Sequence, residues 1–89
     1  MKVVLLWDEG SVEHIARHGI KPVEVEKALK GKKYVRKTAK KGKVYYEIIG
    51  DADGRILFIA IGSVKGGYKL ITAYDAEDKH KRLYKSRRK

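Results

Sequence analysis

Two histidines one helical turn apart, His14 and His18, are the first side chains along this sequence that could take part in chemistry. An imidazole can take up or release a proton, so His18, just before Gly19, is a candidate acid or base. A histidine near a helix end is also commonly a capping or packing residue, and both interpretations stay open. We predict no metal site, because the glutamate of the zincin motif, a third ligand and cysteines are all missing from the sequence.

A second group of candidates lies further along the chain. Arg55 follows a predicted turn and could hold a phosphate with two parallel hydrogen bonds, or simply be a surface charge. Tyr74 and Tyr84 could donate a phenolic proton or stack on a base, although Tyr84 would equally suit the core side of a terminal helix. His80, beside Lys79, could act as acid or base, and a solvated helix face explains both residues equally well.

The net charge of +11 is concentrated in two clusters of basic residues, at 30–43 and 79–89. Although such runs are often only solvated surface, two dense clusters in so short a chain favour a polyanionic partner, since each neutralised phosphate releases counterions. Neither cluster has the apolar helix face that a membrane-lying segment needs. Tyr45 and Tyr46 follow the first cluster and alternate in a strand, so one is available to stack on a base. The candidate nucleic-acid contacts are Lys37, Lys40, Lys41, Lys43, Lys79, Arg82 and Lys85.

The composition excludes several classes of protein. A chain of 89 residues with 43% apolar content can bury one core, so we predict a single domain over residues 1–89. The apolar run at the N-terminus stops at Asp8 and is too short for a signal peptide or a membrane span. We therefore expect a cytoplasmic protein with no membrane partner. The lack of Asn and Gln, with Met1 as the only methionine and many Lys, Glu, Ile and Val residues, resembles the composition of heat-adapted proteins.

Three elements are predicted in the first third of the chain. Residues 2–7 are β-branched and apolar without alternation, which suits a strand covered on both faces. Asp8 can cap a following helix, which Gly19 would end. A second helix is predicted from Pro22 to Gly31, because proline is favoured in the first helical turn.

The remainder predicts strands and a final helix. The helix begins at Asp75 or Ala76, and residues 86–89 form a frayed basic tail. The glycine-rich segment 62–67 lies between strands, so it predicts a turn rather than a phosphate loop. The predicted strands are 34–37, 44–49, 56–61 and 68–74.

The predicted element order is β-α-α-β-β-β-β-α, an α+β domain with an antiparallel sheet and helices packed on one side. The strand at 56–61 is the most apolar segment and must be central. Since the helices are short and poorly apolar, we expect part of the sheet to stay open for a partner.

An ordered set of motifs resembles the BrnT family of ribonuclease toxins along nearly the whole chain. No single motif is very specific to the family, but the ordered set of motifs is. The motifs are Trp7-Asp8-Glu9, His14 to Ile20, Val25-Glu26, Gly54 to Leu57, Ile71 to Ala76 and Lys81 to Tyr84.

The resemblance implies a RelE-like fold and a type II toxin that cleaves mRNA, with or without the ribosome, to inhibit translation and growth. It also implies a small DNA-binding antitoxin as partner. Such cleavage uses the ribose 2′-hydroxyl as nucleophile, so it needs a base, an acid and positive charge, and no cofactor. Tyr74 is a departure, since the family typically has Arg there. The catalytic candidates are His18, Arg55, Tyr74, His80 and Tyr84.

Three alternatives stay open at this point. The same charge, together with Tyr74, would suit a non-catalytic nucleic-acid-binding module. An attenuated toxin, or a structural protein that acts only through a protein partner, would also account for the sequence.

Overall fold

The computed structural model describes residues 2–87 and has a small α+β fold with one four-stranded antiparallel sheet and three helices. The predicted fold class and antiparallel sheet are therefore confirmed. Of the predicted tail, Ser86 and Arg87 belong to the last helix, and residues 88–89 lie outside the described part of the chain. The helices are α1 (Glu9–Ala16), α2 (Pro22–Lys30) and α3 (Asp78–Arg87), and the strands are β1 (Lys33–Lys40), β2 (Lys43–Ala52), β3 (Arg55–Val64) and β4 (Gly67–Asp75).

The strands form a meander in the order β1-β2-β3-β4, so β3 is an inner strand as its apolar sequence predicts. The turns at Lys41-Gly42 and Asp53-Gly54 join the first three strands, and all four of these residues have positive φ. Such two-residue turns match the twist of the flanking strands. The segment 62–67 ends β3, turns at Lys65-Gly66 and begins β4, so it reverses the chain between strands as predicted.

The sheet has two covered faces. We call the face under α1 and α2 the back face and the face that carries α3 the front face. Because side chains alternate along a strand, Ile48 and Leu57 pack in the larger back core, whereas Ile49 and Phe58 pack with Tyr84 of α3 on the front. The prediction that all helices pack on one side is wrong, since β2 and β3 are apolar on both faces and both need cover.

Local sequence explains how α1 and α2 are set on the back face. The Asp8 carboxylate accepts a hydrogen bond from the Ser11 N–H at 2.7 Å and caps α1, and Pro22 opens α2, both as predicted. Helix α2 crosses β2 at Gly50, where a Cβ atom would lie 2.5 Å from the Ala28 carbonyl oxygen. The close approach of this helix to the sheet therefore depends on a residue without a side chain.

Residues 2–7 do not form the predicted first strand. Leu5 makes only an isolated parallel bridge to Tyr68, in which the Leu6 N–H donates to the Tyr68 carbonyl and the Tyr68 N–H donates to the Val4 carbonyl. Leu5 is buried, but Val4 and Leu6 are 53% and 44% exposed. The prediction is wrong because this segment is covered on one side only, so apolar composition overstated its burial.

Helix α3 begins at Asp78 and not at Asp75 or Ala76 as predicted. Asp75 is the last residue of β4, and the Ala76 N–H donates to the Ile56 carbonyl at 3.0 Å. The sheet pairing therefore continues through these residues and delays the helix.

Strand β1 lies at the edge of the sheet and pairs only with β2 among residues 2–87. It runs to Lys40, beyond the predicted end at Lys37, because the ladder to β2 continues to the hairpin turn. Four of its eight residues are basic: Lys33, Arg36, Lys37 and Lys40.

Candidate functional site

A groove of about 380 Å³ opens on the front face, between the sheet and the first turns of α3. We call it the front groove. Two predicted catalytic residues, Tyr74 and His80, line it together. Its lining residues are Arg36, Glu47, Ile49, Phe58, Tyr74, Glu77, Lys79, His80 and Leu83.

Stacked rings form the floor of the front groove. Phe58 and Tyr74 are directly opposite each other in β3 and β4, and their rings stack with centroids 5.0 Å apart and planes inclined by 21°. The imidazole of His80 stacks on Phe58, with centroids 4.6 Å apart. Cross-strand aromatic pairs of this kind stabilise a sheet and hold both rings in place. Phe58 therefore holds the rings of Tyr74 and His80 close together in the front groove.

A backbone hydrogen bond orients the imidazole of His80. The Glu77 N–H, just before α3, donates to His80 Nδ1 at 3.3 Å. In this arrangement Nδ1 is the acceptor, so the neutral ring carries its proton on Nε2. Nε2 then donates a hydrogen bond into the groove. Transfer of its proton to a leaving group requires the imidazolium form, in which Nδ1 is also protonated and no longer accepts from Glu77.

The front groove also contains charges of both signs. Arg36 and Glu47 are cross-strand neighbours in β1 and β2, and Lys79 enters from α3. Neither Arg36 nor Glu47 makes an ion pair within the described residues. Guanidinium and ammonium groups can hold a phosphate here, and the Glu47 carboxylate can accept a proton.

Burial raises the pKa of the Tyr74 phenol above its ordinary value, and the carboxylates of Glu77 and Glu47 add to the shift. Desolvation and nearby negative charge both disfavour the phenolate. Tyr74 is thus a neutral hydrogen-bond donor at physiological pH.

The other two histidines lie at the rim, next to β4. His18 is 6.2 Å from Tyr74 between ring centroids, and His14 is 5.4 Å from His18. His14 Nε2 lies 3.0 Å from Thr72 Oγ1, two residues before Tyr74 in β4. Both histidines are exposed, so they border the groove and do not line it.

Arg55 lies apart from the front groove. Its side chain donates to Asp75 Oδ1 and Oδ2 at 2.6 and 3.0 Å, to Glu24 Oε2 at 3.0 Å and to the Gly19 carbonyl at 3.0 Å. The hydrogen bonds from Arg55 lower the pKa of the Asp75 carboxyl, and those from the Lys21 N–H and Arg55 lower that of Glu24. Arg55 joins the segment between α1 and α2 to the end of β4, and we do not include it in the site.

Tyr84 occupies a packed position in α3. It is 4% exposed, packs against Ile49 and Phe58, and its hydroxyl donates to the Lys32 carbonyl at 3.2 Å. These contacts favour the interpretation of Tyr84 as the anchor that holds α3 on the sheet.

The predicted nucleic-acid contacts are spread over several surfaces. Of these seven residues, only Lys79 lines the front groove, where it is joined by Arg36 of the first basic cluster. Lys37 alternates with the front-facing Arg36 and so projects from the back face of β1. Lys40, Lys41 and Lys43 lie at the hairpin turn between β1 and β2, and Arg82 and Lys85 are exposed on α3.

Sequence reasoning missed Arg36, Glu47, Glu77 and Phe58 as site residues. Glu47 carried a signal, because it is the one acidic residue within the predicted apolar strand at 44–49. Arg36 was one basic residue among eight in its cluster. Only the register that pairs it with Glu47 distinguishes it from its neighbours.

Within residues 2–87, no group of three or more His, Cys, Asp or Glu side chains could hold a metal ion. No helix in this part of the chain has both the length and the apolar character to cross a membrane.

Comparison of the chain with protein-family models, with curated proteins and with solved structures finds no significant match. The function is therefore proposed from the residues of this chain. The front groove is the part of the molecule that carries the proposal.

Proposed function

We propose that this protein is a metal-independent endoribonuclease and the toxin of a type II toxin–antitoxin pair. The observation that carries the proposal is the front groove, in which Glu47, His80 and Tyr74 face one cavity with the cations Arg36 and Lys79. These are the groups that RNA cleavage by the 2′-hydroxyl requires. The resemblance to BrnT toxins supplies the biological setting.

In the proposed reaction the ribose 2′-oxygen attacks the adjacent phosphorus and the bond from phosphorus to the 5′-oxygen breaks. Glu47 takes the proton of the 2′-hydroxyl, and His80 in its imidazolium form gives its Nε2 proton to the departing 5′-oxygen and is left as a neutral imidazole. The products are a 2′,3′-cyclic phosphate and a free 5′-hydroxyl, so protons and charge balance.

Positive charge and a neutral donor stabilise the transition state in this proposal. Arg36 and Lys79 offset the charge that develops on the non-bridging phosphate oxygens. Tyr74 adds a phenolic hydrogen bond, which its raised pKa keeps available at physiological pH. Tyr74 thus takes over part of the task that the family resemblance assigns to an arginine.

The proposal extends to the setting in the cell. The chain has a RelE-like fold, acts on mRNA in the cytoplasm, free or at the ribosome, and is held inactive by a small DNA-binding antitoxin. An adjacent reading frame that encodes a small acidic protein with a DNA-binding region would support this assignment.

The test is cleavage of mRNA by purified protein in buffer containing EDTA, with and without ribosomes. We expect cleavage, with 2′,3′-cyclic phosphate on the upstream product and a 5′-hydroxyl on the downstream one. Induced expression in a bacterium should slow growth and leave mapped RNA ends at the same positions. Intact RNA under all of these conditions would contradict the proposal.

A second candidate function is a nucleic-acid-binding module without catalysis, or a weakened toxin that acts through a protein partner. Tyr74 in place of the family arginine is the observation that favours it. This candidate predicts salt-dependent RNA binding without turnover. Tyr74→Arg distinguishes a non-catalytic module from a weakened toxin. Cleavage that appears in Tyr74→Arg and not in the control Tyr74→Ala identifies a weakened toxin.

A further inference from the structure

A second hollow, of about 450 Å³, lies on the front face near the hairpin ends of the strands. We call it the distal hollow. Helix α3 contributes nothing to its lining, so this part of the sheet is open. It is lined by Gly42, Lys43, Val44, Tyr45, Gly62, Ser63, Val64, Lys69 and Ile71.

The floor of the distal hollow is largely apolar. Gly62 has no side chain, and the Tyr45 ring and Ile71 Cδ1 lie 3.5 Å from the position where its Cβ would be. Ile71 and Val64 are 46% and 42% exposed. Of the predicted pair of tyrosines, Tyr45 is thus the one on the open face.

The back-facing tyrosine of the pair confirms this assignment. Tyr46 packs against the back core, with its ring centroid 5.8 Å from that of Tyr68. Tyr45 and Tyr46 therefore project from opposite faces of the sheet, as predicted, and Tyr46 is the one that packs against the core.

The charged side chains that line the distal hollow are all basic. Lys43 and Lys69 line it, and no acidic residue does. Lys40 is the cross-strand neighbour of Lys43 and adds to the positive potential. An apolar floor with an aromatic ring and flanking cations suits a base and its phosphates.

The distal hollow and the front groove lie on the same face of the sheet. Glu47 is the next front-facing residue after Tyr45 in β2, at a spacing of about 7 Å. In β3 the front face runs from Gly62 to Phe58 by alternation. A single strand of nucleic acid can therefore lie along the sheet and contact both places.

We propose that the distal hollow binds one nucleotide of a single-stranded RNA whose scissile phosphate lies in the front groove. The base stacks on Tyr45 over Gly62, and Lys43 and Lys69 contact the phosphates beside it. This inference rests on the proposed function, because it names the substrate as unpaired RNA several nucleotides long. A duplex cannot present an unstacked base to this floor.

The test is binding of 2′-O-methyl RNA, which cannot be cleaved, measured by fluorescence anisotropy. The probes are a single strand of about ten nucleotides and a duplex of the same length. We expect Tyr45→Ala to weaken binding of the single strand about tenfold, as loss of one stacked base does. Tyr45→Phe should bind like the wild type, because phenylalanine keeps the ring.

Two charge reversals provide a matched control. Lys43→Glu, at the distal hollow, should weaken single-strand binding more than Lys37→Glu, on the back face. Circular dichroism and Tm of each variant establish that it is folded. Equal effects of both reversals, unchanged binding by Tyr45→Ala, or equal competition by the duplex would each overturn the inference.

Binding and cleavage fail separately in this design. If the wild type cleaves no RNA but single-strand binding depends on Tyr45, the distal hollow stands and the ribonuclease proposal falls. If the wild type cleaves RNA but Tyr45→Ala binds the single strand as well as the wild type does, the ribonuclease proposal is retained and the distal hollow is not a subsite.

Discussion

The imidazole of His80 lies on the ring of Phe58, with centroids 4.6 Å apart and planes inclined by 28°. Phe58 also stacks on Tyr74, so one inert ring sets the position of two polar ones. The proposed chemistry therefore depends on a side chain that cannot react itself.

Replacement of Phe58 by leucine tests this dependence. We expect Phe58→Leu to stay folded but to cleave RNA about a hundredfold more slowly, because His80 and Tyr74 lose their common support. Single-turnover rates measure the loss, and urea unfolding measures stability. Ile49→Leu, on the same face, is the control. Unchanged cleavage by Phe58→Leu would argue against positioning by this ring.

Removal of the proposed base or acid should strongly lower activity without unfolding the protein. We expect Glu47→Gln and His80→Gln each to lower the cleavage rate by about 10²- to 10⁴-fold, the usual contribution of general acid–base catalysis. Glu13→Gln, on the exposed surface of α1, should cleave normally. If either groove variant cleaves at the wild-type rate, that residue has another role.

We expect Arg36 to contribute mainly to RNA binding and Arg55 mainly to stability. Arg36→Ala should lower kcat/KM for RNA about 10- to 100-fold, as loss of a charged hydrogen bond does, with little change in Tm. Arg55→Ala should lower Tm through loss of its contacts to Asp75, Glu24 and Gly19, and should leave cleavage by the folded protein nearly unchanged. If instead Arg55→Ala lowered kcat/KM and Arg36→Ala lowered Tm, the phosphate site would lie at Arg55.

Low pH should weaken the ion pairs that Arg55 forms with Asp75 and Glu24. Because the pKa values of Asp75 and Glu24 are lowered in the folded protein, their stabilisation is present above the ordinary values of 3.8 and 4.5 and is lost as pH falls through the lowered values. The difference in urea midpoint between wild type and Asp75→Asn should therefore shrink below about pH 4. A constant difference down to strong acid would contradict this account.

Glycine substitutions test how α2 is seated on the sheet. Gly50→Ala should cost about 1–3 kcal/mol of unfolding free energy, because its Cβ would overlap the Ala28 carbonyl. Gly62→Ala, where the new contacts are ordinary, should leave stability unchanged or raise it by up to about 1 kcal/mol. Denaturant unfolding of both variants measures the contrast, and equal stabilities would mean that α2 shifts freely.

Much of the fold could be predicted from local signals. Asp8, Pro22 and the Asp53-Gly54 turn each specify one backbone conformation, and the structure contains all three. The prediction for residues 2–7 was wrong because the apolar composition of a segment does not show whether one or both of its faces will be covered by other residues. Partners for that segment are fixed by tertiary packing.

The candidate site could be predicted only in part. His80 and Tyr74 were identified from residue type, but Arg36 and Glu47 become neighbours through strand register, which sequence spacing does not give. Arg55 looked like a phosphate ligand because its partners Glu24 and Asp75 are 31 and 20 residues away along the chain.

The basic edge strand has a consequence for the protein as a whole. Along its outer side β1 has no neighbouring strand among residues 2–87, and such an edge can accept a strand from another molecule. Its lysines and arginine repel a second copy of the same edge. Substitutions that neutralise them should therefore cause concentration-dependent self-association, so the charge proposed to attract RNA would also oppose the pairing of two copies.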